Sequence, residues 1–241
     1  MTTLLLSPKY LHWMANGLAM TAWVAFIVII AATISGFLLA LARNSTHRGL
    51  RTLATAYVQI FRNTPLLIQL FFWYFGAPNL LPESAMTWLN TPHQWPLPGI
   101  TLAWPSFEFL AAVFGLTLYA TAFIAEDIRS GLRGVPGAQM EAGLSTGLTH
   151  WQTLRYIVLP QALRITQPPL FGQYMNIVKN SSLTMGIGLA ELSYTSRQVE
   201  AASFLTFQAF GVATLGYIGI IALIEALSQF ARRRAALPGR A

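Results

Sequence analysis

Glu141-Ala142-Gly143-Leu144-Ser145-Thr146-Gly147, then nine residues, then Ile157-Val158-Leu159-Pro160, is a polar, glycine-punctuated stretch between two long apolar runs. So much internal pattern is unusual for a passive connector. The apolar residues Leu144, Leu148, Trp151, Leu154 and Val158 step by four, three, three and four, so a helix through them carries all five on one face. Gly143 and Gly147 stand one turn apart on that helix and predict a bare backbone strip that a second chain can approach closely. A short helix outside a bilayer, with an apolar stripe and a glycine strip, reads as a docking element. Gly147→Asp is then expected to leave the chain inserted but to detach its partner, because such a strip has no room for a carboxylate.

The surroundings of this element are set by composition. The chain has 241 residues, 54% of them hydrophobic and only 10% charged, whereas soluble domains carry about 25% charged residues. Apolar surface on that scale needs lipid, so the chain reads as an integral membrane protein. The net charge is +7, but the basic residues are not clustered with interleaved aromatics, which argues against a nucleic-acid partner. There is no cysteine, and His12, His47, His93 and His150 show no metal-ligand spacing. No Gly-x-x-x-x-Gly-Lys-(Ser or Thr) loop is present to cradle a nucleotide.

Five apolar runs are legible. From Tyr10 to Ala42 there is no Lys, Arg, Asp or Glu, and residues 17–41 alone exceed the roughly 20 needed to cross a bilayer. This run is too long for a signal peptide's apolar core and reads as an uncleaved span. The others are residues 52–76, 109–125, 168–189 and 205–230, and residues 126–164 form the loop that holds the docking element. Within that loop, Asp127–Val135 reads as a linker. The whole chain, 1–241, reads as one membrane domain. Eleven of the fifteen basic residues fall in alternate loops, at 43–51, 126–164 and after Phe230, against Lys9 and Arg197 in the others. Positive charge marks the inner side, so the N-terminus is expected outside and the C-terminus inside. The loop 77–105 then falls outside, with Trp73, Trp88, Trp95 and Trp104 as an interfacial belt.

The pattern of 141–160 resembles the EAA motif of importer permeases in the ATP-binding cassette family: Glu-Ala-Ala, three residues, Gly, nine residues, Ile-x-Leu-Pro. The chain departs from it by Gly143 in place of the second Ala, a small-for-small exchange. Two further segments, Phe61-Arg62-Asn63-Thr64-Pro65 and Val178-Lys179-Asn180-Ser181-Ser182, resemble the polar amino-acid subgroup, notably glutamate/aspartate permeases. The order and spacing of the three segments extend the resemblance over nearly the whole chain. It implies an all-α, five-span type I importer permease with a cytoplasmic coupling helix in the bacterial inner membrane. Glu141, Ala142, Gly143, Leu144, Gly147, Leu148 and Trp151 would be the ATPase-docking residues. The implied partners are an ATPase pair carrying ATP and Mg, a second permease, identical or related, and a periplasmic amino-acid-binding protein. No cofactor is expected on this chain, and it is not expected to be an enzyme.

The same segments have readings of their own. Pro65 lacks an amide hydrogen and disfavours helix at Thr64, so a helix start or break is expected there, with Thr64 or Asn63 as cap. Arg62, Asn63 and Thr64 either line a pathway and meet an anion, or Arg62 marks the bilayer boundary or pairs structurally. Lys179 lies inside an apolar run, where an unpaired ammonium costs several kcal/mol. It either faces a pathway beside Asn180, Ser181 and Ser182, or pairs with Glu225 or a partner chain's carboxylate. The glycines at 186 and 188 permit close helix packing there. Glu126 and Asp127 are adjacent and do not converge as an acid/base pair. A membrane enzyme with Lys179 as base lacks a converging group. A secondary transporter would not need a docking helix, and five spans without a repeat is unusual for one. Two cations in apolar territory, Arg62 and Lys179, suit an acidic amino acid as substrate.

Overall fold

The computed structural model describes residues 6–91, 93–97 and 100–235. The first apolar run forms α1, Pro8–Arg43. Its 36 residues extend about 54 Å at 1.5 Å per residue, well beyond the hydrocarbon thickness of a bilayer. The second run is two helices. The first, α2, spans Arg48–Arg62 and closes at Asn63, whose amide donates to the Gln59 carbonyl. Pro65 is extended, with φ −59° and ψ 132°, and α3, Leu66–Phe71, begins after it. The break expected at Pro65 is present, but the expected cap is not. Asn63 ends α2 instead of starting α3, and Pro65 takes the N-terminal position with no side-chain cap. From α3 the chain passes through a π turn, Phe72–Gly76, and a 3-10 turn, Ala77–Leu80.

A small α/β excursion follows, where the sequence pattern showed only a loop. It comprises α4, Glu83–Asn90, and an antiparallel hairpin of β1, Gln94–Leu97, and β2, Ile100–Ala103, with Gln94 opposite Ala103. Trp88 and Trp104 meet edge to face at 4.9 Å between centroids, and Trp104 Nε1 donates to the Leu89 carbonyl at 3.0 Å. Trp73 packs edge-on against Phe114. The indoles of Trp73, Trp88 and Trp104 thus pack within the protein's own fold; the Trp95 side chain lies outside what is described.

The third run forms α5, Phe107–Arg133, and runs on through most of the expected linker. The cause is packing. A Cβ on Gly131 would lie 1.7 Å from Thr166 Oγ1, so the missing side chain lets α5 and the segment around Thr166 touch, and helix persists past the apolar run. Next come α6, Gly137–Ser145, and α7, His150–Thr153. A π turn, Leu154–Val158, leads without a break into α8, Leu159–Ser181, which continues through Pro168 and Pro169. A 3-10 turn, Ser182–Ile187, ends at Gly188 with φ 87°. Two helices follow, α9, Leu192–Ser203, which no apolar run foretold, and α10, Thr206–Ala235.

Among the described residues, three helices are long and apolar enough to cross a membrane: Pro8–Arg43, Phe107–Arg133 and Thr206–Arg233. Leu66–Leu80 is a shorter apolar helix. The described residues divide into two compact units. One draws on Met1–Ile29, Thr64–Tyr119 and Ile177–Gly219, the other on Ile30–Asn63, Ala120–Asn176 and Ile220–Ala241. In the first, Leu6, Met14, Leu192, Val199, Ala209 and Ala213 form a buried core. In the second, Val135, Val158 and Ala162 form a smaller one, packed by Leu132, Met140 and Leu154.

Candidate functional site: a helical docking element and three polar centres

The docking element is a helix–turn–helix, not the single helix expected. At the end of α6, Leu148 N donates to the Gly143 carbonyl at 3.3 Å and Gly147 N to the Leu144 carbonyl at 3.0 Å. Gly147 has φ 86°. This is the Schellman arrangement, in which a left-handed glycine ends a helix. A capping box then starts α7: Gln152 N donates to Thr149 Oγ1, and Thr149 N donates to Gln152 Oε1 at 2.8 Å. Gly143 and Gly147 therefore do not form one strip. Gly143 is buried within its own chain, and a Cβ there would lie 2.3 Å from Thr153 Cγ2. The methyl that the motif's alanine would bring is matched by Thr153, so the exchange is tied to its neighbour. Gly147 has nothing of its own chain within 4 Å of a built Cβ, so any steric limit on Gly147→Asp would have to come from a partner seated there.

The apolar stripe divides as well. Leu154 and Val158 turn inward to the core with Val135 and Ala162. Leu144 and Trp151 remain exposed, Trp151 by 64%, and Leu148 is half-buried. Glu141 and Ala142 are exposed beside them. Gln161 Nε2 donates to Gln139 Oε1 at 3.1 Å and ties α6 to α8. The result is a hairpin, tied to α8, that carries Leu144 and Trp151 outward.

The first polar centre lies in the same unit. Arg43 of α1 is paired with Glu126 of α5, and Arg62 Nη1 and Arg129 Nη1 each lie 3.8 Å from the Glu126 carboxylate. The Arg62 guanidinium also sits 5.3 Å from the Phe123 ring centroid. Arg62 thus makes the structural pair considered for it, while its side chain stays 42% exposed. Asp127 turns away to Gln173, as expected of adjacent residues on a helix.

The second centre surrounds Lys179 in the last turn of α8. Glu225, the intrachain partner considered for it, accepts from Arg232 at 3.0 Å and from Gln229 at 3.0 Å. Lys179 is exposed, and among the described residues no side chain of this chain pairs with its ammonium. The serine hydroxyls expected beside it point elsewhere. Ser181 Oγ donates to the Val178 carbonyl at 2.8 Å and Ser182 Oγ to the Lys179 carbonyl at 2.7 Å, closing the helix end. Asn180 is half-buried. The packing role of Gly186 holds, since a Cβ there would lie 3.1 Å from Phe71 Cε1.

Residues 32–236 match the family model of the binding-protein-dependent transport system inner membrane component. The chain belongs to that family. This permease is 33% identical over 234 residues to the glutamate/aspartate import permease of Escherichia coli K12, covering 97% of this chain and 91% of the relative. It is 34% identical over 203 residues to a probable glutamine ABC transporter permease of Bacillus subtilis strain 168, covering 84% of each. A crystal structure of an amino acid ABC transporter with histidines superposes with a TM-score of 0.78 at 26% identity, over 94% of this chain and 95% of the other. The inward-facing MetNI methionine ABC transporter matches with a TM-score of 0.67 at 21% identity, covering 96% of this chain and 100% of the other, which speaks to the fold alone. The permease is thus an amino-acid ABC transporter subunit of the inner membrane, with the helical importer fold that the sequence led us to expect.

The third polar centre of the permease was not foreseen. Glu191 is 0% exposed and caps α9, accepting from Tyr194 N at 2.9 Å. It also accepts from Tyr217 OH at 2.5 Å and from Thr21 Oγ1 at 3.3 Å. Thr21 Oγ1 accepts in turn from Leu192 N at 3.1 Å. One carboxylate thus joins α1, α9 and α10 inside one unit. A signal existed: Glu191 sits two residues after an apolar run, and an ionisable group in such a place needs named partners.

Proposed function

We propose that this permease imports acidic amino acids, glutamate or aspartate, from the periplasm to the cytoplasm. The observation that carries the proposal is Lys179. It is an ammonium in the last turn of α8, within the 168–189 run read as a span, with no partner in its own chain among the described residues, and an anionic substrate would offset the cost of keeping it there. Arg62 lies 3.8 Å from the Glu126 carboxylate, which offsets part of its charge, so it adds less to this reading than Lys179 does. The glutamate/aspartate relative supports the same reading. The glutamine permease relative is as similar, which favours a second reading in which Lys179 meets only the α-carboxylate common to all amino acids. Uptake by the reconstituted transporter, with labelled glutamate competed by aspartate, glutamine, arginine and histidine, separates the two. Aspartate should compete and the others should not. Equal competition by glutamine would favour the second reading, and preference for a cationic amino acid would reject both.

In this mechanism ATP and Mg belong to a separate ATPase pair, and the permease is not itself an enzyme. Glu141, Ala142, Leu144, Leu148 and Trp151 form the surface on which an ATPase subunit seats. ATP-driven closure of that pair moves the hairpin, and the spans of this chain and a second permease reorient around a central pathway. A periplasmic binding protein delivers the substrate. The ligand must bind the two orientations differently for the cycle to have direction. The hairpin lies on the cytoplasmic side with the C-terminus, and the N-terminus lies outside. Single cysteines at the exposed positions Ser84 and Ser145 check this. An impermeant thiol reagent should label the first from outside and the second only after the membrane is opened. The reverse at either position overturns the topology.

A further inference from the structure

We propose that the cavity beside Arg43 and Arg62 holds the phosphate of an anionic phospholipid headgroup. Three guanidiniums, from α1, α2 and α5, gather on one carboxylate, Glu126. The next acid, Asp127, bonds to Gln173, and even with both carboxylates counted, positive charge is in excess. A cavity of about 410 Å³ opens at this cluster, lined by Arg43, Arg62 and Glu126 and walled on its apolar side by Val58 and Phe123. Arg43 is only 8% exposed, yet its Nε has no hydrogen-bond partner, and neither has Nε of Arg129. Buried donors of that kind ordinarily find an acceptor.

The depth of the cluster selects the acceptor. Arg43 is the last residue of α1, placed where the run free of charged residues from Tyr10 to Ala42 stops. With the span read at 17–41, Arg43 falls where hydrocarbon gives way to lipid phosphate, and basic pockets between helices at this level bind anionic headgroups. A phosphodiester can accept from several guanidinium N–H groups at once. The apolar wall suits the glycerol and the first acyl carbons. A soluble oxyanion, such as free phosphate or the substrate's carboxylate, shares the chemistry of the arginines but makes no use of the wall.

The test uses the full-length chain, purified and depleted of lipid, with phosphatidylglycerol, phosphatidylcholine, inorganic phosphate or aspartate added. Native mass spectrometry counts retained molecules and thermal unfolding reports stabilisation. Phosphatidylglycerol should be retained and should raise Tm by about 3 °C or more at saturation, while phosphatidylcholine, phosphate and aspartate should not. Arg62→Gln should at least halve the shift, whereas Arg233→Gln, in the basic C-terminal segment, should leave it intact. Equal responses to the two lipids overturn the proposal, as does an unchanged response in Arg62→Gln. A shift from phosphate or aspartate equal to that from phosphatidylglycerol would assign the cavity to a soluble anion instead. Should Arg62→Gln fail to fold, the comparison of the two lipids on the unmodified chain decides alone.

Discussion

Gly143→Val should abolish transport and co-purification of the ATPase while the permease remains inserted in the membrane. Gly143 faces Thr153 and Ile157, and even the first carbon of a side chain would lie 2.3 Å from Thr153 Cγ2 and 3.0 Å from Ile157 Cδ1. Thr153 is fully buried and cannot swing into open space. Overpacking of this kind costs about 1–3 kcal/mol. Here it falls on a hairpin held by a small core, so α6 should part from α7 and carry Leu144 away from Trp151. Gly147→Ala should do less, through the left-handed conformation alone, at about 1 kcal/mol. Gly143→Ala combined with Thr153→Ala should recover much of the binding, because the second change removes the atom that clashes. ATPase retained on the permease and substrate-stimulated ATP hydrolysis are the measurements. Wild-type values for Gly143→Val would show that this surface is not where the ATPase seats.

Glu191→Ala is the second large effect, and it should act on stability. The substitution leaves Tyr194 N, Thr21 Oγ1 and Tyr217 OH without the acceptor they share. Each buried donor left unsatisfied costs about 1–3 kcal/mol, so the total loss is on the order of 4 kcal/mol after partial relaxation. Tyr217→Phe removes one donor to Glu191 and the 2.8 Å contact with Ser193 Oγ, and should cost about 1 kcal/mol, less than removing the carboxylate. Thermal unfolding of the purified permease, followed by tryptophan fluorescence, should rank the variants Glu191→Ala, Tyr217→Phe and wild type in order of rising stability. Indistinguishable melting of Glu191→Ala and wild type would mean that the carboxylate is not the junction of α1, α9 and α10.

The docking hairpin shows where sequence pattern and structure parted. The boundary at Gly147 was legible: a glycine, then Thr149 with Gln152 three residues later, spells a helix end followed by a capping box. The apolar steps from Leu144 to Val158 run across that boundary in helical phase, and periodicity alone joined two helices into one. Asp127–Val135 misled in the opposite sense. Its polarity suggested a linker, but packing at Gly131 against Thr166 carries α5 to Arg133.

Length and apolarity in the chain were sufficient for a helical membrane protein, because hydrocarbon satisfies no backbone hydrogen bond and leaves helices as the economical solution. Pro65 was sufficient for the break before α3, since a missing amide acts locally. The motif segments were sufficient for the family. Only the tertiary structure decided which glycine has no room, which cation is paired and which acid is buried. Glu126 meets Arg43 across 83 residues of sequence, and Glu191 meets Thr21 across 170. Such pairings depend on which helices pack together, and no local pattern records them.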